Sequence, residues 1–161
     1  MGRRRRRAGT TRRMRPEDVP DGPILVDTDV ATWVMRNDEQ ALPWRPLLRG
    51  HLLVLSFVNV GELLAVPVLK GWQAKRAAAW ADEIRRHFVT LPFAFAVTEM
   101  WAPLHVKYRG HLQKGGANDL WIAASALSAD PALPLATNNL SDFGKVAANF
   151  PLRLVHPDLP T

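Results

Sequence analysis

The chain has 161 residues, 47% hydrophobic and 22% charged, which fits one globular domain able to bury a core without disulfide or metal staples. It contains no cysteine, which excludes a disulfide framework, a zinc–thiolate site and a thiol nucleophile, and fits a reducing cytoplasm. The formal net charge of +6 belongs to the first fifteen residues, which hold eight arginines and no acid; the remainder has 13 basic against 15 acidic residues.

In chain order, the arginine run (Arg3–Arg7, Arg12, Arg13, Arg15) can touch phosphates without sequence preference. The preferred reading is a disordered extension, or a stretch preceding a true start at Met14. Pro16 to Pro23 disfavours both helix and strand, so residues 1–23 are expected as a basic, Pro-containing, disordered extension, with residues 1–13 dispensable for folding. Thr10–Arg13 stand where a signal peptide needs its apolar stretch, and no apolar run approaches 18 residues. The expectation is a soluble, cytoplasmic chain without a membrane segment.

Ile24–Val26 reads as a short buried strand ending at Asp27. Helical patterns follow over about Val30–Arg36 and Trp44–Arg49, then a second strand, Leu52–Leu55. Ser56 is a fair N-cap for a helix over Phe57–Leu69, weakened by Gly61 and Pro67. A long helix is expected from Gln73 to about His87, a strand over Val89–Leu91 and a helix over about Val97–Tyr108. Asn118-Asp119 opens an apolar helix to about Ser128. Leu133–Ala136 gives a strand, Ser141 caps a short helix, and Leu152–Val155 gives a last strand. Short apolar strands alternating with helices mean a parallel sheet covered on both faces. The predicted fold is one α/β domain.

In such a sheet, chemistry gathers at the carboxyl ends of the strands, where strand order reverses. Asp27, with Thr28 and Asp29 behind it, ends the first strand; Thr137, Asn138, Asn139 and Asp142 follow the fourth. Glu62 lies in the helix after the second strand, and Asp119 opens the helix before the fourth. Taken singly, Asp29 and Asp119 read as first-turn caps, Asn139 and Asp142 as a turn and helix start, and Glu62 as a solvated helix residue. Asp27 has no evident capping task. Together, Asp27, Glu62, Asp119 and Asp142 place four carboxylates near one rim. Clustered carboxylates repel unless protonated or neutralised, and an all-oxygen set suits Mg2+ or Mn2+. Such a site fits phosphodiester hydrolysis without a covalent nucleophile. The five histidines are scattered, and there is no P-loop, dinucleotide fingerprint or nucleophile elbow. The six tryptophans fall mostly at helical spacing among apolar residues, which suits core or interface.

Four segments carry a resemblance. Ile24-Leu25-Val26-Asp27-Thr28-Asp29-Val30 resembles the opening signature of PIN domains of the VapC toxin type. Leu55 to Leu63, containing Glu62, is similar to their second motif. Asn118 to Ala124 is similar to the third and Thr137 to Phe143 to the fourth. The likeness covers about residues 24–156, and the domain is taken as 24–157. It implies a three-layer fold with a central parallel sheet of four to five strands and a Mg2+- or Mn2+-dependent endoribonuclease cutting transfer or ribosomal RNA. It further implies a homodimer held silent by a cognate antitoxin. On matching positions, Asp27 and Asp119 would be the most direct metal ligands. Glu62 and Asp142 would complete the shell or hold a second ion, with Thr28, Thr137 and Asn139 in support. Two positions depart from the pattern: Asp29, where relatives often carry asparagine or serine, and Asn138, where a basic residue is frequent. Arg36, Lys107, Arg109 and Lys114 are candidate RNA contacts; Trp33, Val34 and Trp44 are candidates for the antitoxin groove.

Two rival readings stay open. One is a catalytically silent PIN-like module that binds RNA or protein. The other is a haloacid-dehalogenase-like phosphatase, suggested by Asp27-Thr28-Asp29 but lacking a convincing downstream lysine and late acidic pair.

Overall fold

The computed structural model describes residues 12–112 and 116–160; Arg3–Arg7 and Lys114 lie outside them. Five short strands form one sheet: β1 (Ile24–Val26), β2 (Leu53–Ser56), β3 (Val89–Leu91), β4 (Leu135–Ala136) and β5 (Leu154–Val155). All neighbours are parallel, in the order β3-β2-β1-β4-β5. The chain therefore builds outward from β1 to β3, then returns to add β4 and β5 on the other side. The reversal falls between β1 and β4, where an open α/β sheet offers a crevice at its carboxyl end.

Successive side chains of a strand point to opposite faces, and the core divides accordingly. Ile24, Val26, Leu55 and Ala136 join one buried cluster; Leu25, Val54 and Leu135 join the other. The first cluster is completed by α1 (Thr28–Arg36), α2 (Arg45–Leu48) and α4 (Ala74–His87), through Val30, Ala31, Leu47, Trp80 and Ile84. The second is completed by α5 (Phe95–Tyr108), α6 (Ala117–Ser128) and α7 (Leu140–Ala147), through Leu104, Ile122, Phe143 and Val146. Between strand β2 and the helices, α3 (Phe57–Leu69) packs against α1, α4 and α6. The result is the three-layer α/β/α arrangement expected.

Several element ends differ from the sequence reading, each for a local reason. β4 lacks Leu133 and Pro134: the Leu133 N–H is taken by the Ala126 carbonyl of α6, and proline has no N–H to give the ladder. Asn139, not Ser141, caps α7, its Oδ1 accepting the Asp142 N–H at 3.3 Å. Ser141 sits inside the first turn and donates to that same Oδ1 at 3.0 Å. The capping of α3 is as read: Ser56 Oγ accepts the Asn59 N–H, and Asn59 Oδ1 accepts the Ser56 N–H.

Residues 12–23, part of the expected extension, make contacts with the rest of the domain. Pro16–Asp18 form a short 3-10 helix, and Arg12 pairs with both Asp18 oxygens at 2.6 and 2.8 Å. The Met14 N–H donates to the Leu159 carbonyl at 2.9 Å, while Arg13 bridges Pro160. Val19 is buried in the first core cluster and Met14 packs against it. Two isolated apolar residues without periodicity leave no sequence signal of this docking.

Candidate active site

Asp27, Asp119 and Asp142 stand at helix starts by the reversal, and Glu62 reaches it from within α3. Asp27 follows β1 and is the N-cap of α1, its Oδ1 accepting the Thr28 N–H at 2.8 Å. The sequence reading gave it no capping task; it has one. Its backbone N–H continues the sheet to Ala136 of β4. Thr137, next after β4, is fully buried and donates its hydroxyl to Asp27 Oδ2 at 2.7 Å. The two strands that flank the crevice are thus tied at their carboxyl ends.

From Asp27 the hydrogen bonds run both ways. On one side, Asn59 of α3 donates Nδ2 to Thr28 Oγ1 at 3.1 Å and, at 3.5 Å, to Asp27 Oδ1. Thr28 Oγ1 in turn donates to Glu62 Oε1 at 2.9 Å. On the other side, Thr137 Oγ1 accepts the Asn139 N–H at 3.0 Å. Asn139 Nδ2 then bridges two carboxylates, donating to Asp119 Oδ2 at 2.8 Å and Asp142 Oδ2 at 3.1 Å. Asp27, Thr28, Glu62, Asp119, Thr137, Asn139 and Asp142 form one continuous network. Asp29, exposed in the first turn of α1, makes none of these bonds and reaches Asp27 through charge alone.

Asp27, Asp119 and Asp142 are buried, at 9, 7 and 0% exposure. Burial pushes the Asp27 carboxyl from 3.8 up to about 6. The Thr137 hydroxyl and Thr28 N–H pull it down, while the charges of Asp29 and Glu62 push it further up. Burial is also the main reason Asp119 rises to about 7; the charges of Asp27, Asp142 and Glu62 add to it and the Asn139 amide opposes. Asp119 thus feels the charges of the other three acids across a poorly solvated rim.

Asn59 and Lys145 were missed as site residues. Asn59 stands three residues after Ser56, the spacing of a reciprocal cap, and its amide faces Thr28 and Asp27. Lys145, three residues after Asp142 on α7, brings its ammonium 3.6 Å from Asp142 Oδ1, the spacing at which helix residues are neighbours. Trp44 is buried in the core, while Trp33 and Val34 are half-buried at its edge. Asn138 is exposed and lines an open cleft of about 550 Å³ with Trp33, Pro43, Trp44 and His156.

The donors of the rim are all oxygens, the chemistry of a hard divalent cation. Among the described residues, no three acidic or histidine side chains converge closely enough to enclose a metal ion as they stand. Thr137, Asn139 and Thr28 instead occupy carboxylate oxygens that a cation would draw on.

Replacing Thr137 with valine removes the hydroxyl that favours ionised Asp27. The Asp27 carboxyl is then expected to titrate above 6, read by carboxyl-carbon NMR. The fold should lose about 1–3 kcal/mol at pH 8 and less at pH 5, where Asp27 is protonated in the parent too. Equal losses at both pH values would mean that Thr137 does not act on the charge of Asp27.

Residues 24–148 match the PIN domain family. The fold is similar to that of VapBC-5, a VapBC-family toxin–antitoxin member from Mycobacterium tuberculosis: 25% identity, TM-score 0.59, covering 85% of this chain and 99% of that one. VapBC2 from Rickettsia felis, bound to a DNA fragment from its promoter, matches at 20% identity and TM-score 0.64, covering 82% and 96%. FitAcB from Neisseria gonorrhoeae matches at 24% identity and TM-score 0.61, covering 83% and 97%. No curated protein matches the chain in sequence.

Proposed function

The chain belongs to the PIN-domain family, and on that premise we propose that it is a Mg2+- or Mn2+-dependent endoribonuclease serving as the toxin of a toxin–antitoxin pair. The observation that carries this reading is the acidic network itself. One hydrogen-bond network links four carboxylates from four elements at the reversal of the sheet, and two of them are pushed up to about 6 and about 7, chiefly by burial. A rim with that excess of negative charge is poised for a hard cation, and the toxin–antitoxin assemblies of similar fold support the biological setting.

Asp27 and Asp119 would hold the ion most directly, with Glu62 and Asp142 completing the shell or holding a second ion. Once bound, it supplies Lewis acidity to a phosphate oxygen and to the attacking water. The rest falls to this chain's own residues. Thr137 and the Thr28 N–H fix the Asp27 carboxylate in place. Asn139 holds one oxygen each of Asp119 and Asp142 and so sets their spacing. Thr28 orients Glu62 toward the same rim. Water adds to phosphorus and the bond to the 3′-oxygen breaks, leaving a 5′-phosphate and a 3′-hydroxyl. No 2′-hydroxyl attack is needed.

The substrate is proposed as transfer or ribosomal RNA, recognised by shape. The protein partner is an antitoxin lying against Trp33 and Val34 of α1, and the toxin itself is a homodimer working in the cytoplasm. Among the described residues no helix is long and apolar enough to cross a membrane.

Expression in a bacterial host without an antitoxin is expected to arrest growth, with new 5′-phosphate RNA ends in the arrested cells. Asp27→Asn, which keeps the cap oxygen, should relieve the arrest at equal soluble expression. Undiminished arrest by the folded variant would sink the assignment of the acidic rim; a silent binding module would cause neither arrest nor new ends.

A further inference from the structure

An open cleft lies outside the acidic network yet touches it. Lys107 and Tyr108 at the end of α5, His111 beyond them, and Lys145, Ala148 and Asn149 along and just past α7 line a space of about 560 Å³. None of the residues lining it is acidic. The walls are braced by their own hydrogen bonds. Lys107 Nζ donates to Asn149 Oδ1 at 3.1 Å, Asn149 Nδ2 to the Tyr108 hydroxyl at 3.0 Å, and that hydroxyl to the Lys145 carbonyl at 2.9 Å. Lys145 Nζ donates to the His111 carbonyl at 3.0 Å and also stands 3.6 Å from Asp142 Oδ1. An ammonium of the cleft thus touches a carboxylate of the rim.

The physical problem of an acidic site for a polyanion is that it repels its own substrate, so positive charge must gather the backbone beside it. Here two ammonium groups are held in place by protein acceptors, and each keeps donors in hand, since an ammonium has three. Lys145 lies one helical turn from Asp142, about 5 Å along the axis, so one strand can reach both. Resting on the ribonuclease reading, the geometry points to this cleft as the subsite for the RNA phosphodiester next to the scissile one, with Lys107 and Lys145 as its contacts. Tyr108 and Asn149 are positioning residues that hold the two lysines. Sequence reading nominated Lys107 by proximity to the acidic motifs; Lys145 and the pairing of the two emerge only from the fold.

The test is binding of a short fluorescein-labelled single-stranded RNA in EDTA, followed by anisotropy over a salt series, beside cleavage kinetics with Mg2+. Lys107→Ala and Lys145→Ala should each weaken binding several-fold and flatten the slope of log K against log salt by about 0.7. Lys107→Arg should keep both affinity and slope. In cleavage, the Lys107→Ala loss should fall on KM more than on kcat. Lys107 is exposed on the helix end, so loss of fold does not cloud its result, and Lys145→Ala is checked by its melting transition. If the parent cuts RNA while both alanine variants bind it with parental affinity and slope, the subsite is wrong and the nuclease reading survives. If RNA binding depends on the lysines but the parent never cuts, the nuclease reading fails and the subsite beside a scissile bond falls with it, leaving only an RNA-binding cleft. Parental RNA binding together with lost affinity for an acidic antitoxin segment would give the cleft to a protein partner and overturn the proposal.

Discussion

Asp119→Asn is expected to give a protein that melts higher than the parent at pH 8 and cuts RNA at least about 100-fold more slowly. The two effects share one cause. The carboxyl of Asp119 sits at about 7 in the fold against 3.8 in its ordinary state. An acid raised in this way binds its proton more tightly folded than unfolded, so folding is penalised once the proton is lost. The penalty is absent below pH 3.8, grows as the pH rises toward 7 and is complete above it. Asparagine keeps an oxygen to accept from the Asn139 amide and carries no charge. Allowing for solvent at the edge of the carboxylate, the gain is about 2 kcal/mol, or roughly 4 to 8 °C for a domain of this size. Thermal melts of metal-free parent and variant at pH 8 and pH 4 check the sign. The gap should be present at pH 8 and nearly closed at pH 4. A gap of equal size at both would mean that charge is not what the substitution relieves. The expected loss of activity is the other half: on the proposed reading, the destabilising charge is the one the chemistry would use.

Metal binding should act on the same imbalance from the other direction. On the proposed reading a divalent ion would neutralise the rim in the folded chain, whereas the unfolded chain scatters Asp27, Glu62, Asp119 and Asp142. At a free ion concentration 100 times its dissociation constant, the stabilisation is about 2.7 kcal/mol, which moves the transition by roughly 5 to 10 °C. Because Asp27 and Asp119 titrate at about 6 and about 7, loading at neutral pH must expel protons from them. Titration calorimetry with Mn2+ in two buffers of different ionisation enthalpy should therefore return different apparent heats at pH 6.5 and nearly equal heats at pH 8.5. The gain in melting temperature should fade as acid protonates both groups. Asp119→Asn should show a smaller rise in melting temperature and release fewer protons. A response identical to the parent's would mean that these acids do not share an ion.

Much of this architecture was legible because its signals are local. Ile24–Val26 is a short apolar run closed by an acid, Val89–Leu91 a short β-favouring run closed by a proline, and Ser56 with Asn59 a reciprocal cap three residues apart. Asp27, Asp119 and Asp142 stood out because each adjoins an element end on a sheet whose strands must be parallel, and Glu62 because its helix follows directly on a strand. What escaped depends on torsion or on distant partners. Asn139 displaces Ser141 as the cap of α7 because it, with φ −90° and ψ 67°, is the residue standing outside helical geometry, and a sequence does not print its torsions. Asp27 caps α1 because that helix starts at Thr28, two residues before its apolar pattern begins. The docking of residues 12–23 rests on Met14 and Val19 meeting a core built far along the chain. Lys145 became visible only when α5 and α7 were seen to wall one cleft.

The most direct measurement is cleavage of an end-labelled structured RNA by purified, antitoxin-free protein, with Mg2+ or with EDTA, in parent and Asp119→Asn side by side. The account predicts metal-dependent cuts by the parent that carry 5′-phosphate and 3′-hydroxyl ends, none in EDTA, and at most a trace by the folded variant. Cutting that persists in EDTA, or that Asp119→Asn performs as well as the parent, would contradict it.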